Sequence, residues 1–163
     1  MSGKLFLICP TDFIEQPIKM KINSDCFFYT ALGLNFHWEI NTVQEILYLV
    51  EQFLIDDIVF VSDFRNRFYI DCLDNKKTLK SCASALEICL TIKSVEPKYY
   101  FNKIYDEKLK LLASKHMLRQ ENNLKQLLDS KQRYKISSLL FDKILNTFLK
   151  PNYFSLSLDS QLN

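Results

Sequence analysis

NTVQEILYLVEQFLIDDIVFVSDFR, Asn41 to Arg65, is the stretch whose reading decides the fold. Thr42 and Glu45 have the spacing of a capping box, in which a hydroxyl and a glutamate satisfy free amides at a helix start. Val43, Ile46, Leu47, Val50, Phe53 and Leu54 then recur at helical spacing, so the reading is a helix over 42–54 with one apolar face. Asp56 and Asp57 are read as its break. Ile58-Val59-Phe60-Val61 is an unbroken apolar run, which suits a central strand covered on both faces, as in a parallel sheet. Sites of open α/β sheets lie beyond the carboxyl ends of their strands, and here that position is Ser62-Asp63-Phe64-Arg65.

Working outward, Leu5 to Cys9 is a second apolar run, stopped by Pro10, and reads as the first strand. Thr11 and Asp12 can cap a turn. Pro17 to Ile22 alternates apolar and basic residues, the pattern of a half-exposed edge strand. Cys26 to Leu32 reads as a buried strand. Beyond Arg65 the expected elements are mostly helical. They are a short helix over 66–73, one starting at Thr78 with Leu79, Cys82, Ala83, Leu86 and Leu90 on one face, a long charged one over 103–130, and one over 136–149 ended by Pro151. Phe154 to Leu158 alternates as a late edge strand. The expectation is one α/β domain over 1–163, strand-rich to residue 65. A small, mostly parallel sheet of four or five strands is flanked by helices, with a helical C-terminal half.

At 163 residues the chain buries a core without disulfide staples. A net charge of +2 gives no concentrated basic patch for nucleic acid, and two glycines leave no phosphate-binding loop. No apolar stretch is long enough to span a membrane. Five cysteines without a C-x-x-C pair or a signal peptide fit a reduced, cytoplasmic protein with buried thiols. Cys9 stands at a strand end, where a reactive thiolate would stand. A cysteine phosphatase needs arginine six positions on, and Glu15 is there instead. Asp63 and Arg65 either orient a ligand or cap and pair locally. His37 reads as a surface residue and His116 as a solvated position of a charged helix. The expected metal and cofactor complement is none.

Taken together, LFLICPTDF, DCFFYTALGLNF and NTVQEILYLVEQFLIDDIVFVSDF resemble the opening core of the β-carbonic anhydrases. In that family one strand ends in Cys-x-Asp-x-Arg and a later one in His-x-x-Cys, and the two cysteines and the histidine hold zinc. The resemblance places Cys9 on the first ligand, Thr11 on the aspartate, with Asp12 next door, and Phe13 on the arginine. Val61 falls on the histidine and Phe64 on the second cysteine. It therefore implies a carbonic-anhydrase-like scaffold without the zinc site, acting by self-association or through a protein partner. An alternative is an enzyme of another class using Cys9, Asp63 and Arg65. A third is a zinc enzyme recruiting Cys26, His37 or Cys72 beside Cys9.

Overall fold

A computed structural model of the chain describes residues 3–74, 88–90, 103–128 and 134–151. The elements are β1 (Gly3–Ile8), α1 (Glu15–Lys21), β2 (Cys26–Thr30), α2 (Ile40–Gln52), β3 (Ile55–Asp63), α3 (Arg67–Leu73), α4 (Tyr105–Leu127), β4 (Lys135–Asp142) and β5 (Thr147–Leu149). They build one sheet in the order β2-β1-β3-β4-β5, parallel except for β5, which returns antiparallel beside β4.

The alternation of each inner strand serves two cores, because successive side chains leave opposite faces of a sheet. Leu5, Leu7, Ile58, Phe60 and Leu140 pack on one face with Ile46 and Val50 of α2, Tyr69 of α3 and Leu112 and Met117 of α4. Phe6, Ile8, Val59, Val61 and Phe141 pack on the other with Ile14 and Ile18. That double coverage is why β1 and β3 read as unbroken apolar runs.

Several local expectations change. The helix of the deciding stretch is real, but it starts at Ile40 after Glu39, whose side chain makes no cap, so Thr42 and Glu45 lie inside it. Glu45 instead accepts the Tyr29 hydroxyl at 2.7 Å. Asp56 and Asp57 belong to β3, where Asp57 pairs with Lys4. Pro17 to Lys21 lies in a helix rather than an edge strand, with Ile22 as its C-cap. Ile14, Ile18 and Ile22 are four apart and all meet the same core, while Pro17 sits in the first turn, where amides have no helical partner. Cys26 to Thr30 is indeed a strand, but at the sheet edge and only half-buried.

The expected helix over 136–149 is strand, turn and strand. Its apolar points fit a helix on paper, yet Ile136 and Leu140 face one core and Leu139 and Phe141 the other. Asp142 makes the turn by accepting the amides of Ile144 and Leu145 at 3.1 and 3.2 Å, and Asn146 closes it with a positive φ of 48°. The helices expected over 66–73 and 103–130 are present as α3 and α4. The helix expected from Thr78 is described only at its helical residues 88–90, and the strand expected over 154–158 lies outside the described residues.

Candidate functional site

The carboxyl ends of β1 and β3 meet over a buried polar cluster. β1 runs into a 3-10 turn, Pro10–Asp12, after which Phe13 takes a left-handed conformation. This turns the Asp12 carboxylate back under the end of β3, where it is 3% exposed. Its Oδ2 accepts the Asp63 amide at 3.0 Å, and its Oδ1 accepts the Asn66 side-chain amide. Asn66 also caps α3, its Oδ1 accepting the Phe68 amide at 2.8 Å. The Ser62 hydroxyl lies 3.3 Å from Asp12 Oδ2, 3.3 Å from the Asp63 carbonyl and 3.4 Å from the Tyr69 hydroxyl, so its single proton has three places to go. Tyr69, fully enclosed, meets His116 Nδ1 at 3.1 Å.

His116 is therefore not solvated; it is 0% exposed on the core side of α4. Among the described residues its Nε2 has no hydrogen-bond partner. Burial, followed by the nearby positive charge of Arg119, lowers its pKa to about 3, so the ring is neutral. Asp12 goes the other way. Burial is the largest influence and raises its pKa to about 7 against the pull of the amides that bond to it, with the Asp63 charge adding to the rise. Asp63 is raised as well, by burial first, although the Arg65 amide and the cations of Lys143 and Arg65 oppose it.

The residues singled out by sequence are each engaged by their own neighbours. Cys9 is fully buried; its sulfur accepts the Gly33 amide at 3.1 Å and lies 3.0 Å from the Thr11 hydroxyl. Asp63 Oδ1 accepts the Arg65 amide at 2.9 Å. Arg65 reaches away, donating to Asp142 at 2.9 Å and to Asp106, while its guanidinium stacks 4.2 Å over the Phe64 ring. Among the described residues no hydrogen bond joins the side chains of Cys9, Asp63 and Arg65. Of the local reading, pairing is visible: Asp63 accepts a turn amide and Arg65 is ion-paired to Asp142 and Asp106. The helix cap falls to Asn66.

Asp142 is 2% exposed, and burial works against its charge. The Leu145 and Ile144 amides and the Arg65 guanidinium outweigh burial and hold its carboxyl below the usual range. Arg65→Ala is expected to cost about 2 kcal/mol of unfolding free energy by leaving this buried carboxylate without its cation. Urea denaturation at pH 7 measures it, and Arg65→Lys is expected to recover part of the loss.

Sequence reasoning placed Ser62 and Asp63 at the strand end but missed Asn66, Tyr69, His116 and Asp142 as members of this cluster. Asp12 also carried a signal, as an aspartate beside the place where the family resemblance expects one.

No protein-family model matches the chain, and no curated protein matches it. Solved structures do. The β-carbonic anhydrase CafD of Aspergillus fumigatus superposes with a TM-score of 0.71 at 15% identity, over 91% of this chain and 88% of that one. CafA of the same fungus gives 0.74 at 14%, over 99% and 81%. A tetrameric β-carbonic anhydrase of Sordaria macrospora gives 0.73 at 13%, over 91% and 79%. The fold is that of the β-carbonic anhydrases. The sequence resemblance and the tertiary structure thus agree on architecture.

That fold implies zinc, and the donor set tests it. Zinc needs several side chains with electron pairs to give. The Cys9 sulfur is already turned to Gly33 and Thr11. Val61 and Phe64, where the sequence resemblance places the other two ligands, are apolar and 0% exposed. Cys26 lies at the start of β2, in register with Lys4 rather than with the end of β1, and His37 is exposed. Among the described residues no three His, Cys, Asp or Glu side chains gather as a metal-binding group. Among the described residues, those at these positions do not fit a zinc ion.

Proposed function

We propose that this chain is a non-catalytic protein on the β-carbonic anhydrase fold, acting through self-association or a protein partner. The observation that carries the reading is that Cys9, Val61 and Phe64, where the sequence resemblance places the zinc ligands, are one thiol and two buried apolar side chains, a set that offers no means of generating metal-bound hydroxide at neutral pH. Around it, Asp12, Ser62, Asn66, Tyr69 and His116 bond chiefly to one another. The surface supports the second half of the reading. Phe13, Ile144 and Leu145 are 72%, 75% and 67% exposed, on two turns joined by Lys143, which lies over the Phe13 ring. Exposed apolar groups held on ordered turns suit contact with another protein surface. The Sordaria structures, tetrameric on the same fold, give a precedent for assembly.

The test is elemental analysis and carbon dioxide hydration on one sample of the full chain, purified without chelator, with sedimentation velocity beside them. Zinc far below one per chain, no hydration above the uncatalysed rate, and a species larger than the monomer are expected. Stoichiometric zinc with activity would overturn the non-catalytic reading. A monomer at high concentration that captures no partner would remove the proposed mode of action.

A further inference from the structure

Cys72 and Cys89 are seventeen residues apart in sequence and adjacent in space, with the Cys89 thiol donating to the Cys72 sulfur at 2.8 Å. Neither is in a disulfide. Cys72 sits in α3 at 8% exposure, and Cys89 is half-buried in the helical residues 88–90. A covalent bond holds sulfurs at about 2.0 Å, so closure asks for about 0.8 Å of movement. We propose that Cys72 and Cys89 are an oxidative modification site, converted by hydroperoxides into a disulfide that ties α3 to the helical turn at 88–90.

The roles divide by exposure. Cys89, the more accessible, attacks the peroxide as its thiolate; the O–O bond breaks, hydroxide leaves, and a sulfenic acid remains. Cys72 then attacks that sulfur, the S–O bond breaks, and hydroxide takes up a proton as water. The sum is two thiols and one hydrogen peroxide giving a disulfide and two waters, the sulfurs losing the two electrons that the peroxide oxygens gain. Burial, and then the Cys89 thiol beside it, push the Cys72 thiol well above its ordinary range, which disfavours it for the first attack on peroxide; in the second step its target is already within contact. The bond would close a loop whose ends the Cys72–Cys89 contact already brings together.

The full chain, purified reduced, is treated with hydrogen peroxide, alkylated and digested by proteases cleaving after lysine and glutamate. Cuts after Lys76 and Glu87 separate Cys82 from both partners. A linked pair of peptides carrying Cys72 and Cys89, about 2 Da lighter than the two thiol peptides and released by dithiothreitol, is expected. Tm is expected to rise by roughly 5–10 °C on oxidation, and Cys89→Ser to abolish the rise. Recovery of both cysteines as alkylated thiols, or a link from either to another cysteine, would overturn the assignment. So would an equal Tm rise in Cys89→Ser. The mapping uses the unmodified sequence and so does not depend on the variant folding.

Discussion

Asp12→Ala is expected to lower the unfolding free energy by about 3 kcal/mol at pH 7, the largest loss from any single polar change at the strand ends. The carboxylate accepts the Asp63 amide and the Asn66 side chain, and the Ser62 hydroxyl lies within reach. Ser62 can turn to the Asp63 carbonyl or to Tyr69 when Asp12 is gone. The Asp63 amide cannot turn, and Asn66 is held by its cap on Phe68, so two buried donors lose their acceptor. A buried donor left unpaired costs about 1–3 kcal/mol. Chemical denaturation with two probes reads the loss, and a change below about 1 kcal/mol would show that water reaches these donors. Loss of stability is expected without loss of fold, because the two cores are built of buried apolar side chains such as Phe6, Phe60 and Phe141 that need no polar partner from Asp12.

The second large effect is in the pH dependence, where two buried groups oppose each other. Asp12 has a folded pKa raised to about 7, above its ordinary 3.8. Its contribution is fully present below the unfolded value and is lost as pH rises toward 7. Asp63, also raised, acts in the same direction. His116 has a folded pKa lowered to about 3, below its ordinary 6.5. The folded state then binds fewer protons than the unfolded one, so its contribution is present above 6.5 and is lost as pH falls. Between pH 4 and 6.5 the slopes cancel, and the unmodified protein is expected to vary by only about 1 kcal/mol.

The variants separate the two slopes. His116→Leu leaves the carboxylates, and stability is expected to fall with rising pH by as much as about 3 kcal/mol across that window. Asp12→Asn leaves the histidine, and stability is expected to rise with pH by a similar amount, from a lower baseline. Denaturation series at half-unit pH steps give both slopes. Parallel profiles for the two variants would mean that neither group titrates as its burial requires.

The parts of this chain that local pattern made legible are those whose pattern has one solution. The runs at 5–9 and 58–61 are apolar at every position, and a segment that short is satisfied only as a strand with cores on both sides. That set the parallel α/β class, and the strand–helix–strand order carried the likeness to β-carbonic anhydrases. Where two periodicities fit the same residues, the pattern misled. Ile14, Ile18 and Ile22 are a helical face interleaved with an alternating one, and Ile136 to Phe148 satisfies a helix as well as two strands. Packing decided between them: α1 covers the second face of the sheet, and β4 completes β3 on its open side.

The cluster at the strand ends was beyond the sequence for a different reason. Several of its bonds join residues that are 47 to 77 positions apart, such as Tyr69 to His116, Ser62 to Asp12 and Arg65 to Asp142. A histidine among lysines and arginines of a charged helix has the local character of a solvated residue. It is buried because α3 and the sheet lie against that face of α4, a fact no local window contains. The sequence by itself determined the α/β class and the opening strands and helix, since hydrophobic periodicity is a local record of which faces must be covered. Which polar groups are trapped between the layers, and so which acids are raised and which bases lowered, only the tertiary structure decided, because burial is a property of neighbours distant in the chain.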